Sequence, residues 1–118
     1  MLLQHVEAVV LDGHEAEFEA ALCEVRQRVF MSPGFRGFRV AQDMEHLSRY
    51  TVEVRWESLD ELTEFAASRF ERCWAPVQPF LAGSLRLRHF AERPSLAFQG
   101  PGVISDLAWL SSDAPPGP

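Results

Sequence analysis

The chain has 118 residues, a formal net charge of −6 and an apolar fraction of 47%, which is typical of one globular domain. The acidic balance disfavours nucleic acid as a partner, because phosphate binding needs a basic surface. No apolar run approaches the roughly 20 residues needed to span a bilayer, and the first residues lack the features of a signal peptide. The sequence therefore predicts a cytoplasmic protein that binds neither nucleic acid nor membranes.

The first part of the chain predicts a strand, a helix and a second strand. Valine and alanine alternate in residues 3–11, and an Asp-Gly turn ends this strand. Residues 14–31 follow helical spacing, with an apolar stripe opposite several glutamates. A Ser-Pro-Gly break follows, and residues 35–44 alternate again as a second strand.

The middle of the chain contains the clearest strand, residues 49–57, in which large apolar side chains occupy every second position. Ser58 and Glu61 have the spacing of a capping box, so a second helix is predicted to begin there. A shorter helix follows, and residues 84–92 alternate to form a fourth strand.

The order βαββαβ predicts an α+β fold of the ferredoxin-like type, with a four-stranded antiparallel sheet. The helices can cover only one face of such a sheet. The other face carries apolar residues, among them Val9 and Leu11, so we expect it to be buried against a second copy. The sequence thus predicts a homodimer.

The composition changes after residue 92, because five of the eight prolines lie in residues 93–118. We therefore predict a domain over residues 1–92 and a proline-rich C-terminal tail over residues 93–118. An apolar cluster around Trp109 and Leu110 predicts that part of the tail docks on the domain, whereas its end is expected to be disordered.

Few residues are candidates for chemistry. The sequence contains no phosphate loop, dinucleotide fingerprint or serine-hydrolase motif, and its two cysteines lack the spacing of a metal site. His89 shares its side of the fourth strand with Leu85 and Leu87, which predicts that it points toward a packed face. An imidazole there could act as a base at physiological pH. The alternative is a structural histidine, hydrogen-bonded in the core or a dimer interface.

Several short segments share an order and spacing that are similar to those of the antibiotic-biosynthesis-monooxygenase family. They are residues 17–20 (EFEA), 32–35 (SPGF), 56–59 (WESL), 79–80 (PF) and 89–90 (HF). The resemblance covers about residues 3–92. It implies dimers of ferredoxin-like subunits whose sheets pack face to face as an α+β barrel, with a ligand pocket between sheet and helices in each subunit.

The resemblance also bears on cofactors. Some members of that family oxidise polycyclic phenols or anthrones with O2 and no cofactor, whereas others degrade haem. Many relatives have a histidine on the second helix where this chain has Phe65. Haem-degrading relatives combine a helix histidine with a strand asparagine, but this chain has no histidine in that helix and no asparagine at all. The resemblance therefore implies an oxygenase with no haem and no other cofactor.

Oxygenation without a cofactor needs a base, a donor that stabilises the substrate oxyanion, and a pocket that excludes water. We assign the base to His89 and the donor to Trp56, whose indole the resemblance places in the pocket wall. The substrate-binding walls are expected to be Tyr50, Phe38, Trp74 and Phe70. Core filling is the alternative role for each of these aromatic side chains.

These residues and the family resemblance are compatible with two functions. The first is a cofactor-independent monooxygenase that acts with O2 on a small aromatic, polyketide-type or quinol substrate. The alternative is a non-catalytic dimer that binds a hydrophobic molecule or has a structural role, or a cyclase or isomerase of the same fold.

Overall fold

The computed structural model describes residues 1–96, in which the predicted order of strands and helices is confirmed. The main elements are β1 (Leu2–Val9), α1 (Glu15–Phe30), β2 (Phe35–Gln42), β3 (Arg49–Trp56), α2 (Leu59–Ser68), α3 (Phe70–Trp74), a 3-10 helix (Ala75–Phe80) and β4 (Arg86–Ala91). A short 3-10 turn, Pro94–Leu96, follows the last strand.

The four strands form one antiparallel sheet in the order β2-β3-β1-β4. Val6 of β1 pairs with Val52 of β3 on one side and with Leu87 of β4 on the other. Because paired residues point to the same face, this register extends the alternation of β3 across the whole sheet. The fold class predicted from the sequence is thus confirmed.

Local sequence explains where the two longer helices form. Phe18, Leu22, Val25 and Val29 recur at helical spacing in α1 and are all buried. Helix α2 begins after Ser58, whose side chain accepts a hydrogen bond from the backbone N–H of Glu61 at 3.3 Å. The predicted cap is therefore present.

The core lies between the helices and one face of the sheet. On β3, every second residue from Tyr50 to Trp56 is buried, and the α1 stripe packs against this face. The helices leave β4 largely uncovered, so that all six of its residues are exposed. His89 does lie on the helix side of the sheet, opposite Gln4, but it is exposed rather than packed because it sits on this uncovered edge strand.

The opposite face of the sheet, called here the bare face, has no helix packed on it in the described part of the chain. Its central row consists of Arg39, Glu53, His5 and Arg88, one residue from each strand. At one end of this face Val9 is 44% exposed.

Within residues 1–96, no helix has the length and apolar character needed to cross a membrane. The predicted domain boundary at residue 92 and the homodimer stay predictions. The expectations for Trp109 and Leu110 lie outside the described residues.

Candidate functional site

A cleft opens between α1 and the strands β2 and β3, with a volume of about 390 Å³. A volume of this size suits a small organic molecule. The side chains that line it are Glu19, Leu22, Cys23, Arg26, Phe38, Val40, Gln42 and Tyr50. Apolar groups form most of the wall, and a few polar groups converge on it.

Helical and strand periodicity bring these residues together. On α1 the four lining residues follow the spacing i, i+3, i+4 and i+7 from Glu19, which is one face of a helix. On β2 the three lining residues are at alternate positions from Phe38 to Gln42, and thus share one side of the strand. Tyr50 pairs directly with Gln42 and completes the wall from β3.

A chain of hydrogen bonds runs across one end of the cleft. The Tyr50 hydroxyl donates to Glu19 Oε2 at 2.5 Å and accepts from Gln42 Nε2 at 3.1 Å. The Gln42 amide also donates to the carbonyl oxygen of Leu47 at 2.7 Å, which fixes the orientation of its side chain. Tyr50 is only 3% exposed, whereas Glu19 is open to solvent.

Burial raises the pKa of the Tyr50 hydroxyl well above its usual value of 10.0, and the hydrogen bond and negative charge of Glu19 raise it further. Tyr50 is therefore a protonated donor at physiological pH. The pair consists of a carboxylate that can accept a proton and a phenol that keeps its proton. This arrangement suits acid–base chemistry on a bound hydroxyl group.

Phe38 belongs both to the cleft and to the aromatic core behind it. Its ring stacks on Trp74 with centroids 6.4 Å apart, and Trp74 stacks in turn on Phe70 at 5.7 Å. Trp56 packs against Phe65 at 4.7 Å in the same core. Trp56 and Trp74 are almost completely buried, and neither indole N–H has a hydrogen-bond partner among the described residues.

His89 lies apart from the cleft. Its Nε2 is 3.2 Å from Nε2 of the buried Gln4, so the amide group donates and the imidazole nitrogen accepts. His89 on β4 and Trp56 on β3 lie on opposite sides of strand β1. His89 pairs with Gln4 of β1, whereas Trp56 pairs with Leu2 of the same strand. Neither His89 nor Trp56 lines the α1–β2–β3 cleft, so within residues 1–96 the two predicted catalytic residues do not meet there.

Of the six site residues predicted from the sequence, Phe38 and Tyr50 line the cleft, and Trp74 lies directly behind Phe38. Glu19 and Gln42 also line the cleft but are not among these six. Gln42 gave a usable signal, because it is a polar residue on the apolar side of β2. Glu19 gave none, because it resembles the other glutamates along α1.

The family model for antibiotic biosynthesis monooxygenases matches residues 1–71, more than half of the chain, whereas a search of curated proteins found no match.

Solved structures of similar fold include an antibiotic biosynthesis monooxygenase homologue from Bordetella bronchiseptica, with 26% identity, a TM-score of 0.69, and coverage of 78% of this chain and 97% of the other. A homologue from Deinococcus radiodurans has 15% identity, a TM-score of 0.68, and coverage of 85% and 100%. SnoaB, a cofactor-independent oxygenase from Streptomyces nogalater, has 17% identity, a TM-score of 0.64, and coverage of 78% and 93%. The chain belongs to the antibiotic biosynthesis monooxygenase family, which supports a monooxygenase-like role in general terms.

Proposed function

We propose that the chain is a cofactor-independent monooxygenase that uses O2 to oxidise a small phenolic aromatic compound, of the anthrone, polyketide or quinol type, bound in the α1–β2–β3 cleft. The observation that carries this proposal is the buried Tyr50 hydroxyl, which donates to Glu19 at one end of a largely apolar cleft. Membership of the family and the fold shared with SnoaB support it.

The first step is removal of a proton from the substrate. Spontaneous reaction of an aromatic compound with O2 is slow until a phenol or an activated CH2 group loses a proton and becomes electron-rich. Glu19 has one carboxylate oxygen bonded to Tyr50, and its other oxygen has no side-chain partner within residues 1–96. This second oxygen accepts the proton of a hydroxyl group placed in the cleft.

Tyr50 then stabilises the negative charge. Once Glu19 is neutral it becomes a poorer hydrogen-bond acceptor, and the substrate oxyanion becomes the best acceptor near the Tyr50 hydroxyl. The raised pKa of Tyr50 keeps its proton in place as a donor. Gln42 donates to the same phenolic oxygen and holds it in position.

The oxidation balances with O2 as the only co-reactant. The hydroxyl group that Glu19 deprotonates is the enol form of an activated CH2 group, so the reacting carbon has one C–H bond and carries part of the negative charge. The substrate anion passes one electron to O2, and the resulting pair recombines to form a carbon–oxygen bond at this carbon. Glu19 then returns its proton to the outer oxygen, which gives a hydroperoxide. Loss of the remaining C–H proton breaks the O–O bond and leaves a carbonyl group. One oxygen atom is then in the product and the other leaves as water, so that CH2 and O2 give C=O and H2O.

The aromatic residues of the site have separate roles. Phe38 forms the wall against which a planar substrate packs, and Trp74 and Phe70 support that wall from behind. The catalytic roles assigned to His89 and Trp56 stay predictions that need a different arrangement of the core, or a second copy, to bring them to the substrate. The homodimer is part of this proposal.

Oxygen consumption by the purified protein with a panel of anthrones and quinols tests the proposed function. Wild-type protein dialysed against a chelator should consume one O2 for each anthrone CH2 group that is converted to a carbonyl. Glu19→Gln should lower turnover about 10²–10⁴-fold, the usual contribution of a general base. Glu24→Gln is the matched control, because Glu24 lies on the same helix but pairs with Arg28.

Two results would contradict the assignment of the base. Full activity in Glu19→Gln removes Glu19 from the mechanism. A loss of similar size in His89→Ala, with Glu19→Gln unaffected, transfers the role of base to His89 as the sequence predicts.

His89 does not line the cleft, and this placement of the predicted base favours one alternative, a dimer that binds a hydrophobic molecule without oxidising it. A carboxylate and a tyrosine also suit a cyclase or an isomerase. Either alternative predicts ligand binding in the cleft with no oxygen consumption.

A further inference from the structure

We infer that the substrate is a phenolic acid, and that Arg26 binds its carboxylate at the end of the cleft opposite the Tyr50–Glu19 pair. Arg26 is a specificity-determining residue in this arrangement. The inference rests on the proposed function only in placing the phenolic group beside Glu19.

The cleft has two chemically different ends. Glu19 and Arg26 are seven residues apart on α1, which corresponds to two helical turns and about 10 Å along the axis. Leu22 and Cys23 lie between them on the same face. The cleft therefore offers a carboxylate at one end, a guanidinium at the other, and an apolar floor about the length of a fused two- or three-ring system.

The charges impose an orientation on an acidic ligand. Arg26 takes part in none of the ion pairs formed among the described residues, so its guanidinium fork is available for a carboxylate. At the other end Glu19 repels a carboxylate but accepts a hydrogen bond from a hydroxyl group. A molecule with its hydroxyl and carboxylate at opposite ends of a planar ring system satisfies both ends at once.

The same cleft provides a measurement of binding that does not depend on turnover. Cys23 lines the cleft and is exposed, whereas Cys73 is buried, and burial raises the pKa of the Cys73 thiol above its usual value. Alkylation by iodoacetamide should therefore report on Cys23 alone. A ligand that occupies the cleft protects Cys23, and the concentration that halves the alkylation rate gives its affinity.

The probes are a hydroxynaphthoic acid with its two groups at opposite ends of the ring system, its methyl ester, and unsubstituted naphthol. Wild-type protein should bind the acid roughly tenfold more tightly than the ester or naphthol. Arg26→Gln should remove this preference without changing the affinity for naphthol, and Arg26→Lys should retain part of it. Added salt should reduce the preference, because Arg26 is exposed.

Arg49→Gln is the matched control for the loss of one positive charge. Arg49 precedes Tyr50 on β3, is exposed and lies on the bare face, so the preference should be unchanged in this variant. Equal protection by acid and ester in wild-type protein overturns the inference, as does a preference that survives in Arg26→Gln. A preference that depends on Arg26 supports it even when no oxygen is consumed, and in that case only the proposed oxygenase activity fails.

Discussion

The two faces of the sheet differ in how they are stabilised. On the helix-covered face Val6, Val52 and Val54 are completely buried. The bare face instead carries charged side chains along its central row. There Arg39 donates to Glu53 Oε2 at 2.8 Å, and Glu53 Oε1 lies 3.2 Å from the imidazole of His5. One face excludes water, whereas the charged side chains of the other face form ion pairs between neighbouring strands.

This difference separates two kinds of function. A water-poor face with a cleft at its margin suits chemistry on an aromatic substrate. A face of paired charges suits a contact with another protein, since its polar groups are already oriented, although a partner must compensate for removing them from water. The predicted second copy would therefore meet an ordered ionic surface with apolar residues such as Val9 at one end.

The largest effect is expected from a cavity on the helix-covered face. Trp56 is completely buried and packs against Phe35 and Phe65. Trp56→Ala should lower the free energy of unfolding by about 3–5 kcal/mol, as measured by urea denaturation. Leu59→Ala, on the exposed side of α2, is the control and should change it by less than about 0.5 kcal/mol. A small effect of Trp56→Ala would mean that Trp56 is not part of a close-packed core on this face.

A smaller effect is expected on the bare face. Glu53→Gln should cost about 1–2 kcal/mol of stability, because Arg39 and His5 lose a charged partner but still reach water. Burial tends to raise the pKa of Glu53, but Arg39 and His5 outweigh it, so the pKa is lowered from 4.5.

The lowered pKa fixes the pH dependence of this effect. A carboxyl group with a lowered pKa in the folded state contributes stability above its unfolded pKa and loses it as the pH falls through the folded value. The difference between wild type and Glu53→Gln should therefore shrink as the pH falls below about 5. A difference that grows in acid would contradict the ion-pair account.

Association through the bare face should change with little effect on the fold. Val9→Asp should weaken the predicted homodimer in sedimentation at micromolar concentration and leave the unfolding of the chain nearly unchanged, since Val9 is 44% exposed. Met44→Asp, at a position that is 92% exposed in a turn, should alter neither property. A wild-type chain that sediments as a monomer would refute the dimer.

The smallest effect is spectroscopic. Tyr50 is the only tyrosine in the chain, so the absorbance of phenolate reports on it alone. Its titration should lie well above pH 10.0, and Glu19→Gln should move it part of the way back, because burial is the larger cause of the raised pKa. A titration at the ordinary value would mean that Tyr50 is neither buried nor bonded to Glu19.

Periodicity predicted most of the fold, because the strict alternation of β3 determines which side of every paired strand is buried. It assigned Tyr50 and Phe38 to the correct side of the sheet. It could not assign a role to Glu19, since this carboxylate meets Tyr50 only through the approach of α1 to β3, which no local pattern specifies. Alternation also predicted correctly on which side of the sheet His89 lies. It could not predict that His89 is exposed, because within residues 1–96 no helix covers β4.

Oxygen consumption by Tyr50→Phe tests the central claim most directly, because this substitution removes one hydroxyl group and keeps the ring that packs against Phe18. With a substrate that wild-type protein oxidises, kcat/KM should fall about 10- to 100-fold, the equivalent of one lost hydrogen bond to a developing oxyanion. Thermal unfolding should show that the variant remains folded. Unchanged kcat/KM in a folded Tyr50→Phe protein would contradict the assignment of the α1–β2–β3 cleft as the active site.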